Sequence, residues 1–142
     1  MFSVIFPGQG SQIVGMGKEF YEKFDIVKDL FEQADEALHL PLSKIILDGP
    51  KEKLDQTTYT QPAIFLISFS IFQVIKKEFN INLHKAKFFA GHSLGEYSAI
   101  ASAGYLNFQD TIKILKIRGD AMQNSVPKGE GGMIAVLDIS VE

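Results

Sequence analysis

The 142-residue sequence contains no cysteine. That excludes disulfides, thiolate metal sites and a cysteine nucleophile together. An excess of positive charge is also missing. The formal net charge is −3, which argues against nucleic acid or an anionic membrane as the main partner. Arginine is scarce: of the 14 basic residues, 13 are lysine and one is Arg118. The opening residues, MFSVIFPGQG, lack the basic n-region and long apolar stretch of a signal peptide. The most apolar run, AIFLISFSIF at 63–72, is too short to span a bilayer and reads as a buried helix. Internal repeats and low-complexity tracts are absent from the sequence. What remains is a chain with 46% hydrophobic and 22% charged residues, which fits one soluble globular domain with a real core.

Ser3 to Phe6 reads as a strand that ends in a sharp turn at Pro7-Gly8. Phe20, Phe24, Val27, Leu30 and Phe31 recur at helical spacing, so 16–38 is expected to be helical, in two pieces, with Pro41 ending the region. Residues 41–60 are expected to be irregular with short helical turns. Thr60-Gln61-Pro62 should open a helix running to about Phe79, with Thr60 or Gln61 near the cap and proline in the first turn. A strand follows at 87–90, a helix at 94–103 capped by Gly104, and a helix at 108–123. A glycine-rich connection at 127–132, a strand at 133–139 and the first turn of a further helix at 140–142 complete the reading. That last strand has no successor to pair with, so the chain is expected to be the front part of something longer. Strands alternating with helices indicate an α/β layered fold with a parallel sheet.

The stretch AGHSLGEYSA at 90–99 places Ser93 between Gly91 and Gly95, after a strand and before a helix. G-x-S-x-G in that context is the signature of a nucleophile elbow, a strained turn that lifts the serine hydroxyl from the sheet edge. Side chains at 91 or 95 would collide with the neighbouring strand and helix. The N–H of Leu94 stands at the helix start, where unpaired donors favour a developing oxyanion. The alternative is a plain glycine-lined turn with a capping serine. His92 adjoins Ser93, but neighbours on a sharp elbow point apart, so it is expected to be a buried, hydrogen-bonded structural residue. His39 and His84 are expected at the surface. None of the three histidines is a convincing base for a serine hydroxyl, which needs one.

Arg118 draws attention independently. Its neighbours at three and four residues, Ile114, Leu115, Ala121 and Met122, are apolar. A guanidinium grips a carboxylate through two parallel hydrogen bonds, which an ammonium cannot do. The alternative is a structural ion pair with a core Asp or Glu.

The segments PGQGSQ at 7–12, TQPA at 60–63, AGHSLGEYSA at 90–99 and RGDAMQ at 118–123 together resemble the malonyl-CoA:acyl carrier protein transacylase family, with the related acyltransferase domains of polyketide synthases. The resemblance runs the length of the chain and covers the front half of the family's usual length. It implies a hydrolase-like α/β core over 1–124 and the start of an inserted, ferredoxin-like small subdomain over 125–142. It also implies malonyl transfer from malonyl-CoA to the phosphopantetheine thiol of acyl carrier protein in fatty-acid biosynthesis. The setting it implies is cytoplasmic, with no cofactor or metal expected and neither nucleic acid nor membrane as partner. Ser93 is the implied nucleophile and forms a malonyl-serine ester. Gln9 and Leu94 are the implied oxyanion donors, and Arg118 holds the malonyl carboxylate. Losing one oxyanion donor typically costs ~10²–10³ in turnover. Met122 and Gln61 are candidate pocket residues with simpler alternatives, core packing for Met122 and helix capping for Gln61; His92 completes the candidate set. Leucine at 94, where methylmalonyl-selective relatives often carry glutamine, leans toward malonyl. The family's catalytic histidine lies downstream of any residue here, so this chain alone is expected to be inactive.

Two other readings share these residues. A serine esterase or lipase of the same fold class would use Ser93 but has no use for a desolvated arginine. A truncated, non-catalytic fragment would have an unfinished, exposed subdomain.

Overall fold

A computed structural model describes residues 1–126 and 130–131. The expected strand at 133–139 and helical turn at 140–142 lie outside the described residues, as does the connection at 127–132 apart from residues 130 and 131.

Two strands, β1 (Ser3–Phe6) and β2 (Phe88–Gly91), pair in parallel with Ser3 opposite Phe88 and Phe6 opposite Gly91. Parallel neighbours need a long crossover. Here it carries α1 (Lys18–Lys23), α2 (Asp25–Leu38), α3 (Leu42–Asp48), α4 (Lys51–Leu54) and α5 (Thr57–Lys77), then a 3-10 turn at Leu83–Lys85. After β2 come α6 (Gly95–Ser102) and α7 (Phe108–Gln123). The α/β class with a parallel sheet is as expected, and the break between α1 and α2 falls at Phe24, an extended residue.

The long helix differs from expectation at its start. It begins at Thr57, and Pro62 stands in its second turn, so neither Thr60 nor Gln61 is the cap. The reason is tertiary. The Thr57 N–H donates to Gln123 Oε1 on α7 at 3.0 Å, and the Thr58 hydroxyl donates to Asp120 of the same helix. Partners from α7 thus satisfy a helix end that would otherwise leave orphan donors. Thr60 turns its hydroxyl back to the carbonyls of Leu54 and Gln56, at 2.6 and 3.0 Å.

At 21 residues, α5 is also long and apolar enough to cross a membrane by length and composition, which the run at 63–72 is not. Its place is the core instead. Ala63, Phe65, Leu66 and Val74 are fully buried, and Phe65 and Phe69 meet Phe108 of α7 with ring centroids 5.5 and 5.3 Å apart. From α2, Val27, Phe31 and Ala34 close the other side. Small residues on α6 permit close approach, and the hydroxyls of Ser70, Ser98 and Ser102 are buried without a partner among the described residues.

Gly119 sets the distance between α7 and the start of α5. A Cβ there would lie 2.7 Å from the Thr57 carbonyl oxygen and 2.9 Å from Thr58 Cα. Gly119→Ala is therefore expected to destabilise the fold by about 1–3 kcal/mol through backbone overpacking. Urea unfolding measures this, and an unshifted midpoint would show that the contact yields freely.

The turn after β1 is tied to the α4–α5 junction, where Gln12 Nε2 donates to Asp55 Oδ1 at 3.0 Å. Lys51, through its hydrogen bond, and then Gln12 hold the Asp55 carboxyl below its ordinary range. A depressed carboxyl contributes its stabilisation fully above the ordinary value and loses it as pH falls through the lowered one. The Gln12 tether is expected to persist at neutral pH and weaken only in acid, below the ordinary carboxylate range. Side-chain amide resonances of Gln12 in an acid titration follow that weakening, and Asp55→Asn should make them insensitive to pH over the same range.

Candidate active site

Ser93 has φ 55°, the left-handed region in which a non-glycine side chain is uncommon. Its neighbours explain how the turn closes. A Cβ on Gly91 would fall 2.0 Å from the backbone carbonyl of Gly95, and one on Gly95 would fall 2.6 Å from the Phe6 oxygen and 2.7 Å from the Pro7 oxygen. Both glycines are therefore required by backbone contact, as the spacing predicts. The turn is secured by Gly95 N–H donating to His92 O at 2.9 Å and Glu96 N–H donating to Ser93 O at 3.1 Å. Leu94 has its side chain fully buried, and its N–H has no acceptor among the described residues. Ser93 itself is exposed.

Arg118 reaches this serine from α7. Its Nη2 donates to Ser93 Oγ at 3.1 Å, and its Nη1 donates to Gln61 Oε1 at 2.7 Å. The guanidinium is half-buried and lies 5.9 Å from the ring centroid of Tyr97, within reach of a cation–π contact. Ion pairing with a core carboxylate does not occur for Arg118 among the described residues. Its own helical neighbours are mixed: Leu115 is buried, while Ile114 and Ala121 are exposed. The helix itself therefore does not give Arg118 the apolar ring that the sequence spacing suggests.

Gln61 is fully buried and does not cap its helix. It bridges Arg118 to Met122, donating from Nε2 to the Met122 sulfur at 3.1 Å. Met122 is half-buried beside it. Gln9 is exposed in the turn after β1, and its Nε2 donates to Thr57 Oγ1 at 3.2 Å. That turn leans on the elbow, since a Cβ on Gly8 would meet His92 Nδ1 at 2.4 Å.

His92 corrects the sequence reading. It is exposed, and its imidazole makes no hydrogen bond among the described residues. The same turn that raises Ser93 rotates His92 out of the strand and over Gly8, so it does not become a core residue. It does not hydrogen-bond Ser93, as expected for adjacent elbow residues. His39 and His84 are exposed, again as expected. Among the described residues the one hydrogen-bond partner of Ser93 Oγ is Arg118.

Two contributors escaped the sequence reading. Tyr97 lies four residues after Ser93, one helical turn along α6, a spacing that could have placed it beside the serine. Thr57 gave no local signal, because its partners are 48 and 66 residues away. A separate apolar cavity of about 570 Å³, lined among others by Phe2, Val4, Ile67, Phe72 and Leu83, runs along β1 and α5 and includes neither Ser93 nor Arg118.

Known proteins share this arrangement of chain. The chain is 45% identical over 141 residues to the malonyl CoA-acyl carrier protein transacylase of Haemophilus influenzae, covering 99% of this chain and 45% of that protein. The solved structure of the malonyl CoA-acyl carrier protein transacylase from Coxiella burnetii superposes with a TM-score of 0.84 at 43% identity, over 91% of this chain and 40% of that one. A malonyl-transacylase solved in complex with its type II polyketide-synthase acyl carrier protein matches with a TM-score of 0.81 at 39% identity, over 90% of this chain and 40% of that one. The chain thus spans less than half the length of these relatives. The Acyl transferase domain family matches residues 3–142, and the chain belongs to that family.

Proposed function

We propose that this chain forms the nucleophile half of a malonyl-CoA:acyl carrier protein transacylase site acting in fatty-acid biosynthesis in the cytoplasm. The observation that carries the reading is the hydrogen bond between Arg118 Nη2 and Ser93 Oγ. A carboxylate taken up by this guanidinium brings the other end of a three-carbon diacid beside the serine oxygen. The names of the relatives support malonyl-CoA and acyl carrier protein as substrates.

In the first half-reaction Ser93 Oγ attacks the thioester carbonyl. The carbonyl oxygen becomes an oxyanion facing the Leu94 N–H and the Gln9 turn. The C–S bond then breaks, coenzyme A leaves as its thiol, and a malonyl ester remains on Ser93. In the second, the phosphopantetheine thiol of the carrier protein attacks that ester and regenerates the serine. Arg118 holds the free carboxylate throughout, and Gln61 fixes the guanidinium so that one edge stays open. Met122 lines the acyl pocket, and His92 stands at its mouth. Residues 1–124 act as the front of the catalytic core, with 125–142 as the start of the small subdomain. A guanidinium at the serine supports a charged acyl group over the neutral ester of a lipase or esterase.

The Ser93 proton needs an acceptor, and among the described residues no imidazole or carboxylate hydrogen-bonds Oγ. Transfer by these 142 residues alone is accordingly expected to be negligible at neutral pH. Radiolabelled malonyl turnover onto carrier protein by the chain alone would contradict this.

Recognition can be tested without turnover. By calorimetry, malonyl-CoA is expected to bind about tenfold or more tightly than acetyl-CoA, the value of one charge-assisted contact of roughly 1.4 kcal/mol. Arg118→Ala should abolish the difference. A preference for malonyl that survives this substitution removes Arg118 from the carboxylate site. In a protein that also supplies the base, Ser93→Ala should eliminate the malonyl adduct in an intact-mass measurement, and an adduct that persists would move the nucleophile elsewhere.

A further inference from the structure

Both glutamines of the PGQGSQ turn end on one short piece of chain. Gln9 Nε2 donates to Thr57 Oγ1 at 3.2 Å, and Gln12 Nε2 donates to Asp55 Oδ1 at 3.0 Å. The same piece is fastened to the arginine helix. Thr57 N–H donates to Gln123 Oε1 at 3.0 Å, and Thr57 O is the nearest atom to the missing Cβ of Gly119, the residue after Arg118. The turn that carries Gln9 and the helix that carries Arg118 are therefore both referenced to the Asp55–Thr58 junction.

Thr57 divides these duties between its two polar groups. As the first residue of α5 it has an orphan N–H, and Gln123 satisfies it. Its hydroxyl does not cap the helix, because the cap position is Gln56. The hydroxyl oxygen is thus free to accept from Gln9. Removing that oxygen while keeping the backbone cuts the turn's tether and leaves the α5–α7 junction intact.

We infer that Thr57 is a positioning residue of the acyl-transfer site, whose hydroxyl fixes Gln9 and so sets where the turn after β1 stands against the Ser93 elbow. The catalytic consequence rests on the proposed acyl-transfer reading of Gln9; the positioning itself does not. Oxyanion donors act only when held at a defined place, and a misplacement of about 1 Å can cost ~10²-fold.

The test compares Thr57→Val, which removes the acceptor at nearly constant shape, with Thr57→Ser, which keeps it. In the isotopically labelled 142-residue chain, the Val variant is expected to move the Gln9 side-chain amide resonances to those of a solvated glutamine. Hydrogen exchange at the Gly10 backbone amide, which donates to Gln12 Oε1 at 2.8 Å within the same turn, should accelerate about tenfold. The buried Gln61 side-chain amide should stay unmoved, and the Ser variant should follow the wild type throughout. Gln9 signals unchanged in the Val variant, or changed equally in both variants, overturn the inference. So does a displaced Gln61, which would make the helix start and not the hydroxyl responsible. On titration with malonyl-CoA, the wild type should shift both the Gln9 amide and the Arg118 guanidinium signals, and the Val variant only the latter. A wild type with no Arg118 shift refutes the acyl-transfer reading, and the unliganded comparison then decides Thr57 by itself.

Discussion

The left-handed backbone of Ser93 is the constraint around which the rest of the site is arranged. A non-glycine residue there costs of order 1–3 kcal/mol, so the conformation persists only where the surroundings impose it. The imposition comes from backbone packed on backbone. Gly91 lies against the carbonyl of Gly95, and Gly95 lies against the carbonyls of Phe6 and Pro7 at the end of β1. The elbow therefore depends on parallel pairing of β1 with β2, which brings Phe6 opposite Gly91. Pairing two strands separated by five helices is what turns a local glycine pattern into an exposed hydroxyl at a helix start.

Arginine at 118 is a consequence of the same geometry. The side chain must satisfy a buried amide oxygen on one nitrogen and face an exposed serine with another. A planar fork does both with a fixed angle between its donors, whereas an ammonium is a point charge that would be drawn to one partner. A chain that uses lysine at its 13 other basic positions departs from that habit where bidentate geometry is needed.

Much of this was legible in the sequence because the signals were local. The helix expected at 108–123 has those bounds, and Asn107 caps it by accepting from the Asp110 N–H at 2.7 Å, a signal contained within four residues. The elbow glycines were legible because their collisions arise from residues within five positions or from the adjacent strand. The start of α5 was misplaced because its partners, Asp120 and Gln123, lie on a helix more than 60 residues later. Proline at 62 then looked like a first-turn residue. His92, expected in the interior, is exposed beside the left-handed turn at Ser93. Thr57 is hidden for the same kind of reason, since its role exists only once separate helices converge; Tyr97 is within local reach of Ser93 by spacing, and only its contact with Arg118 depends on that convergence.

Gln61 shows why the site cannot be separated from the core that carries it. A fully buried carboxamide must have both its donor and its acceptor satisfied, or the unpaired group costs about 1–3 kcal/mol. Gln61 finds these partners in the Arg118 guanidinium and the Met122 sulfur, one helical turn apart on α7. The guanidinium is thus held by a residue that itself needs the guanidinium. Part of the energy that packs α5 against α7 passes through the group proposed to receive the acyl carboxylate. In the proposed reaction a carboxylate would meet an arginine with Nη1 committed to Gln61, leaving Nε–H and Nη2, the nitrogen now on Ser93 Oγ, as its partners. Binding at Nη2 would then compete with the hydrogen bond to Ser93 Oγ, the one which that oxygen makes among the described residues.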